Sequence, residues 1–279
     1  MTPQQYVQDK AAASGSSFYY AFLFLPQRKR AAITAFYAFC REVDDVVDEI
    51  EDQGVAAQTL HWWRIEVANS FAGNPQHPVM KALMPLTAEH GIHEQHLQQV
   101  IDGCDMDLRQ TRYLDFAGLK TYCHLVAGVV GEVAARIFGQ SQDETTEYAH
   151  SLGLAFQLNN IIRDVGEDAM RGRIYLPIDE LQRFGVTAND LLQRRDSAAF
   201  QALMKFQCDR ALDIYEQALS RLPATDWRAQ KPGLMMASIY RTLLIEIENA
   251  KFPVLTQRVA LTPVRKMWLA WKMQALGRF

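Results

Sequence analysis

Residues Gln157 to Asp168 read QLNNIIRDVGED and close a segment, about 142–168, whose centre, 149–162, is otherwise largely apolar. On a helix, Gln157, Asn160, Asp164 and Asp168 fall on one stripe at steps of three, four and four. Polar groups on a buried helix cost roughly 1–3 kcal/mol each unless satisfied, and more when charged. The stripe therefore needs a metal, a phosphate, or a hydrogen-bonded network of its own members.

The same three- and four-residue periodicity recurs along the chain. From Gln27 to about Glu49 it is carried by Ile33, Phe36, Tyr37, Cys40, Val43 and Val47, and it appears again over 55–72, 93–109, 116–139, 197–220 and 231–250. Strand-like alternation is almost absent, so the fold class read here is all-α. Segments 125–138 and 149–162 are apolar on most sides, which places them at the centre of a helical bundle, where a central cavity would be built. Thr187 followed by Asp190 just before Leu191 and Leu192 marks a helix start. No Gly/Ser linker or repeat divides residues 1–279, so one domain is expected, with a short polar hinge at 221–231.

Composition narrows the function. With 49% apolar and 22% charged residues the chain is no disordered tail, and 29 basic against 32 acidic residues leave a net charge of -3. No global positive field exists to hold nucleic acid, so any anion site is local. Cys40, Cys104, Cys123 and Cys208 are too scattered for a zinc ribbon or a disulfide framework, which fits a reducing, cytoplasmic setting. The start MTPQQYVQDK has no apolar region behind a basic one, and no uninterrupted apolar run reaches the roughly 18 residues of a membrane span. The segment Arg265–Phe279 mixes basic and aromatic residues as interfacial helices do; the expectation is a soluble chain, at most peripheral on the inner face of a membrane, with a simply packed helix as the alternative.

A second acidic stripe precedes the first. Arg41-Glu-Val-Asp44-Asp45-Val-Val-Asp48 places Asp44 and Asp48 one turn apart on one helical face, a like-charged pair that is unfavourable without a cation between them. Carboxylate oxygens are the preferred ligands of Mg²⁺, which keeps waters and bridges to phosphates, so D-x-x-x-D on a helix suits a magnesium–diphosphate site. A lone copy is more readily a solvated acidic face; two copies are not. Arg41 and Arg163 accompany the stripes and can hold phosphate oxygens bidentately, although Arg41 can equally pair with Asp44 or Asp45. Arg171 and Arg173 follow as a basic flap or an ordinary basic loop. His90, His93 and His96 have metal-like spacing but begin beside Gly91 in a loop, and the acidic Asp102–Asp107 stretch is expected as a half-exposed helix bordering the cavity.

At this point FYYAFLFLP (18–26), AFYAFCREVDDVVDE (35–49) and QLNNIIRDVGEDAMRGRIYLP (157–177) resemble the squalene/phytoene synthase family, the head-to-head prenyltransferases, with similarity from about Tyr6 to Trp271. The resemblance implies an isoprenoid-synthase helical bundle in which the two stripes face each other across a central cavity. It implies Asp44, Asp48, Asn160 and Asp164 as metal-side residues, with Asp168 added, and Mg²⁺ as cofactor. Phe18, Tyr37, Arg41, Gln157, Asn160, Arg163, Arg171, Arg173 and Tyr240 match substrate-contacting positions, and Asp44, Asp48, Asp164 and Tyr240 are the expected catalytic set. GSSFYYAFLFLP, CREVDDVVDE, GNPQHPV and DLRQTRYLDF look like the bacterial members that join two farnesyl diphosphates into presqualene diphosphate on the way to squalene and hopanoids, handing it to a downstream enzyme. Phytoene, dehydrosqualene or squalene synthesis are the alternatives within the family. An inert assembly-factor role is disfavoured because the aspartates are present. Two positions depart from the pattern: Ser14–Ser17 stand where relatives carry His or Lys, and Asn159 where Thr is common.

Overall fold

The computed structural model describes residues 1–13 and 18–277, without the side chains of Tyr19 and Tyr20. The all-α reading holds: fourteen α-helices are present among them, and the only β pairing is one isolated bridge between Arg112 and Ile174. The helices begin where the local chemistry allows. α3 (Gln27–Glu49) starts behind Pro26, whose fixed φ precedes a helix without strain. The Ser197 hydroxyl caps α12 (Ala198–Arg221) by accepting the Phe200 N–H, and Thr187 forms the expected capping box with Asp190.

α9 (Glu144–Met170) is the axis of the molecule. It packs against α12, against α8 (Val129–Phe138) and against α13 (Lys231–Asn249), while α3 packs on α1 (Pro3–Ala13), α5 (Pro78–Thr87) and α6 (Glu94–Arg109). Burying these faces forms one apolar cluster reaching from Val7 to Met273. Close approach decides the geometry at α9. A side chain at Gly153 would fall on the Ala127 carbonyl, and one at Gly166 on the Leu255 carbonyl, so only glycine lets the neighbouring backbones come this near.

The segment expected at 116–139 is interrupted. After α7 (Phe116–Cys123) the chain makes a π turn over His124–Gly128 before α8 resumes. The run Phe116–Phe138 is long and apolar enough by composition to cross a membrane, but here it packs on α9 and α6. The expected hinge at 221–231 is corrected. Asp226 and Gln230 are buried there: Asp226 accepts hydrogen bonds from the backbone N–H groups of Ser141 and Gln142 and from Thr145, and Gln230 donates to the Ala135 carbonyl. Polar residues that read as a flexible connection are instead satisfied inside the fold.

Candidate active site

α3 and α9 both end in acids, and neither carries a basic residue in its last turn. A helix C-terminus is the negative end of its dipole, where each carboxylate is disfavoured by roughly 0.3–1 kcal/mol. Helix stability therefore does not explain why Asp48 and Asp168 stand in those last turns, with Asp44 and Asp164 one turn before them; a cationic partner does.

In the structure the chain's own arginines fill that role. Arg41 donates to Asp44 at 2.6 Å and also pairs with Asp45. Asp45 and Glu42 are further held by Lys10 at 2.8 and 3.1 Å, which ties α1 to α3 and assigns those two acids to packing. Asp48 accepts from Arg173 at 2.9 Å and pairs with Arg171 at 3.0 Å, while Arg173 also donates to the Val47 carbonyl. Asp164 accepts from Arg163 Nε at 2.7 Å and lies 3.3 Å from Arg258, which reaches Glu167 at 3.5 Å. The 171–177 loop is pinned rather than loose, because the Ile174 N–H donates to the Thr111 carbonyl and Arg112 donates to the Gly172 carbonyl.

Between α3, α8, α9 and α13 lies a cavity of about 590 Å³. Arg41, Asp44, Gln157, Asn160, Arg163, Arg258 and Lys266 line its polar end, and Phe36, Val126, Val130, Ala134, Leu152 and Met236 are among its apolar walls. Its lining residues on α9 run from Arg163 back to Tyr148, about 22 Å along the helix axis, so it is a deep slot. Phe18 stands where the ends meet, with its ring centroid 5.8 Å from Tyr37, 6.3 Å from Phe156 and 6.4 Å from Tyr240. The π turn serves this wall. Tyr122, Val126, Val130, Ala134 and Phe138 all line the slot at four-residue steps, and in a regular α-helix such a row would drift about 40° per step. One turn with i→i+5 bonding returns the row to the cavity face.

Of the residues expected from the sequence, Phe18, Tyr37, Arg41, Asp44, Gln157, Asn160, Arg163 and Tyr240 line the slot. Asp48, Asp164, Asp168, Arg171 and Arg173 are not in that lining; Asp164 is bonded to the lining residue Arg163, whereas Asp48 is held by Arg173 outside it. Asn159 points elsewhere: it donates to the Tyr240 carbonyl at 2.6 Å and locks α9 to α13. Ser14–Ser17 lie outside the described residues. His93 and His96 form a helix cap, and His96 with His150 flanks Glu132, so those histidines serve packing.

The electrostatics mark a site short of positive charge. Burial, with Asp48 and Asp107 adding to it against Arg41, pushes the Asp44 carboxyl up to about 6. Burial and neighbouring Asp164 push Asp168 up to about 7, against Arg173. The Asn160 amide nitrogen donates to Gln157 at 3.3 Å, but its buried oxygen has no partner. Among the described residues no three acidic, histidine or cysteine side chains converge closely enough to chelate an ion. Hard oxygen donors, one orphaned amide oxygen and under-compensated carboxylates fit Mg²⁺ held jointly with a phosphate, since that ion takes few protein ligands and keeps the rest for water and substrate.

Two contributors have no signal in the sequence, and a third has a role beyond the one expected. Arg258 and Lys266 stand at the polar end beside Arg163, where burial and then the two guanidinium groups push the Lys266 ammonium down. Neither belongs to a recognisable stripe. Asp107, left as a cavity-bordering acid, accepts the hydroxyls of Tyr175 and Tyr122 at 2.7 and 2.8 Å, and burial pushes its carboxyl up.

The family model for squalene/phytoene synthase matches residues 11–265. The 15-cis-phytoene synthase of Synechococcus elongatus is 36% identical over 268 residues, covering 92% of this chain and 87% of that protein. The chloroplastic phytoene synthase 1 of Arabidopsis thaliana is 32% identical, covering 92% and 62%. Among solved structures, a dehydrosqualene synthase in complex with ligand superposes with a TM-score of 0.85 at 27% identity over 98% of both chains. Squalene synthase HpnC from Alicyclobacillus acidocaldarius gives 0.80 at 26% identity, covering 90% and 94%.

Proposed function

The chain belongs to the squalene/phytoene synthase family, whose members are prenyltransferases, and from that premise we propose that it joins two farnesyl diphosphates head to head into presqualene diphosphate, releasing one diphosphate and one proton. The observation that carries the proposal is the slot itself: a deep apolar cavity closed at one end by Arg41, Arg163, Arg258 and Lys266 beside two acidic stripes. A cationic end matches diphosphate, and the apolar remainder of a cavity of about 590 Å³ matches isoprenoid chains.

Asp44, Asp48, Asn160 and Asp164, with Asp168, are the residues that would hold Mg²⁺; when bound, the ion supplies positive charge that stabilises the departing diphosphate. Arg163 carries the same task within the chain. Burial opposes its charge, but the ion pair with Asp164 more than offsets this, so it stays a guanidinium deep in the site. Arg41, now engaged with Asp44, and Arg258, now engaged with Asp164, are placed to turn to phosphate oxygens. As the leaving group departs, the allylic carbon becomes cationic, and the walls keep water from it. Phe18, Tyr37, Phe156 and Tyr240 offer ring faces beside that carbon. The 2,3 double bond of the second substrate attacks, a proton leaves, and the cyclopropane closes; the released diphosphate is the base at hand. The whole described chain acts as one catalytic domain, in contact with the cytoplasm.

A second reading, phytoene synthesis from two geranylgeranyl diphosphates, is favoured by the names of the curated relatives, which are 36% to 32% identical. Purified protein with Mg²⁺ and no NADPH, offered the C15 and C20 diphosphates separately, separates the two by mass spectrometry. A C30 diphosphate from the C15 substrate is the expected product; turnover of C20 alone would replace the proposal with the second reading.

A further inference from the structure

We infer that the outer face of α14 (Pro263–Leu276) docks on an anionic lipid surface. The helix carries two apolar faces. Leu269, Ala270 and Met273 are buried against the bundle, whereas Val264, Met267, Trp268 and Trp271 are exposed, Val264 at 79% and both tryptophans at 54%. At about 100° per residue the exposed four occupy one arc directly opposite the buried three. A surface helix needs only its docked stripe to fold. Two solvent-facing tryptophans serve another contact.

Charge identifies the partner. Residues 250–279 carry six lysines and arginines and no acid, whereas the remaining 249 carry 23 basic and 32 acidic residues. Lys272 flanks the exposed arc and lies 5.7 Å from the Trp268 ring, and Arg265, paired with Glu246 at 2.6 Å, stands on the same shoulder. Tryptophan with lysine and arginine on one helical face is the composition of helices that lie in an anionic lipid interface. A second copy of the chain is the poorer occupant, because a twofold contact would set these like charges against each other. The helix is also joined to the site through the chain. Val259, Ala260 and Leu261, just before α14, line the slot, so docking would hold that part of its wall near a bilayer that dissolves isoprenoid chains. Only that last benefit depends on the proposed function; the surface argument does not.

The test reads binding, not turnover. The full chain is sedimented with vesicles of phosphatidylcholine alone and of phosphatidylcholine mixed with phosphatidylglycerol. Binding to the mixed vesicles only, released by salt and accompanied by a blue shift of tryptophan emission, is expected, and Trp268→Glu with Trp271→Glu should abolish it. Lys272→Gln should weaken it about fivefold, the effect of one cation near the surface. Should the double variant lose helicity, Lys272→Gln carries the test alone. The inference is overturned by equal binding to neutral vesicles, by variants that bind as the parent does, or by a parent dimer that the double variant turns into a monomer without lipid.

Discussion

Lys266 and Arg258 show what single residues disclose about this site. Three cations, Arg163, Arg258 and Lys266, crowd one end of a cavity, and burial makes the ammonium costly to keep charged. Diphosphate oxygens arriving there would be drawn to all three. Lys266→Met should therefore raise KM for the prenyl diphosphate by tenfold to a hundredfold, the range of one charge-assisted hydrogen bond of about 1.5–3 kcal/mol. Steady-state kinetics check this, and an unchanged KM would remove Lys266 from the substrate contacts. Asn160 makes the complementary case. Its buried oxygen lacks a hydrogen-bond donor, so it is poised for a cation rather than for the fold. Asn160→Leu should leave thermal stability near that of the parent while reducing Mg²⁺-dependent turnover by at least roughly a hundredfold, an interaction of several kcal/mol; a large loss of stability with activity retained would make Asn160 a structural residue.

Elements were legible wherever one face is apolar and the other is not. The periodicity expected over 27–49 is the helix Gln27–Glu49, and that over 142–168 is Glu144–Met170. The π turn at His124–Gly128 left no mark, because both faces of that segment are apolar and one extra residue in a turn changes no residue type. The acidic stripes were readable because buried polar residues at helical steps are costly; Arg258 was not, because nothing local sets it apart from a surface arginine. The 221–231 connection misled for the opposite reason, since polarity was taken for exposure. Burial raises the Asp226 carboxyl, but hydrogen bonds from Ser141, Thr145 and two backbone N–H groups outweigh this and hold it below its ordinary value of about 3.9. In the unfolded chain it titrates at that ordinary value. Its contribution is complete above that pH and is lost as pH falls through the lower folded value. Asp226→Asn should cost roughly 1–3 kcal/mol at pH 7 in urea unfolding, with the gap to the parent narrowing below about pH 4; a gap that stays constant on acidification would mean that the carboxylate charge is not what the loop needs. Gly166 joins elements in another way. With the Leu255 backbone against its Cα, Gly166→Ala should destabilise by about 1–3 kcal/mol and displace the turn at Pro253–Leu255 that leads to Arg258. Unfolding midpoint and KM should therefore both worsen, and a neutral substitution would show that the turn yields freely.

The molecule as a whole has a net charge of -3 that conceals a strong segregation, with acids gathered at the ends of α3 and α9 and cations at Arg163, Arg258 and Lys266. Without substrate these groups neutralise one another in pairs: Asp44 with Arg41, Asp48 with Arg173, Asp164 with Arg163 and Arg258. A divalent cation alone would displace arginines from carboxylates and leave those arginines unpaired; a diphosphate alone would draw the arginines away and strand the carboxylates. Only both together satisfy both sets, so their binding should be cooperative and should bridge α3, α9 and the 258–266 segment into one stiffer unit. Inorganic diphosphate with Mg²⁺ should raise the melting temperature by about 5 °C at concentrations near a hundredfold above the dissociation constant. Either component alone should give much less. Asp44→Asn combined with Asp164→Asn should remove the joint effect while leaving the response to diphosphate alone. Scanning calorimetry across the four combinations measures the coupling directly, and shifts that merely add would show that the acidic stripes and the basic end act as separate sites.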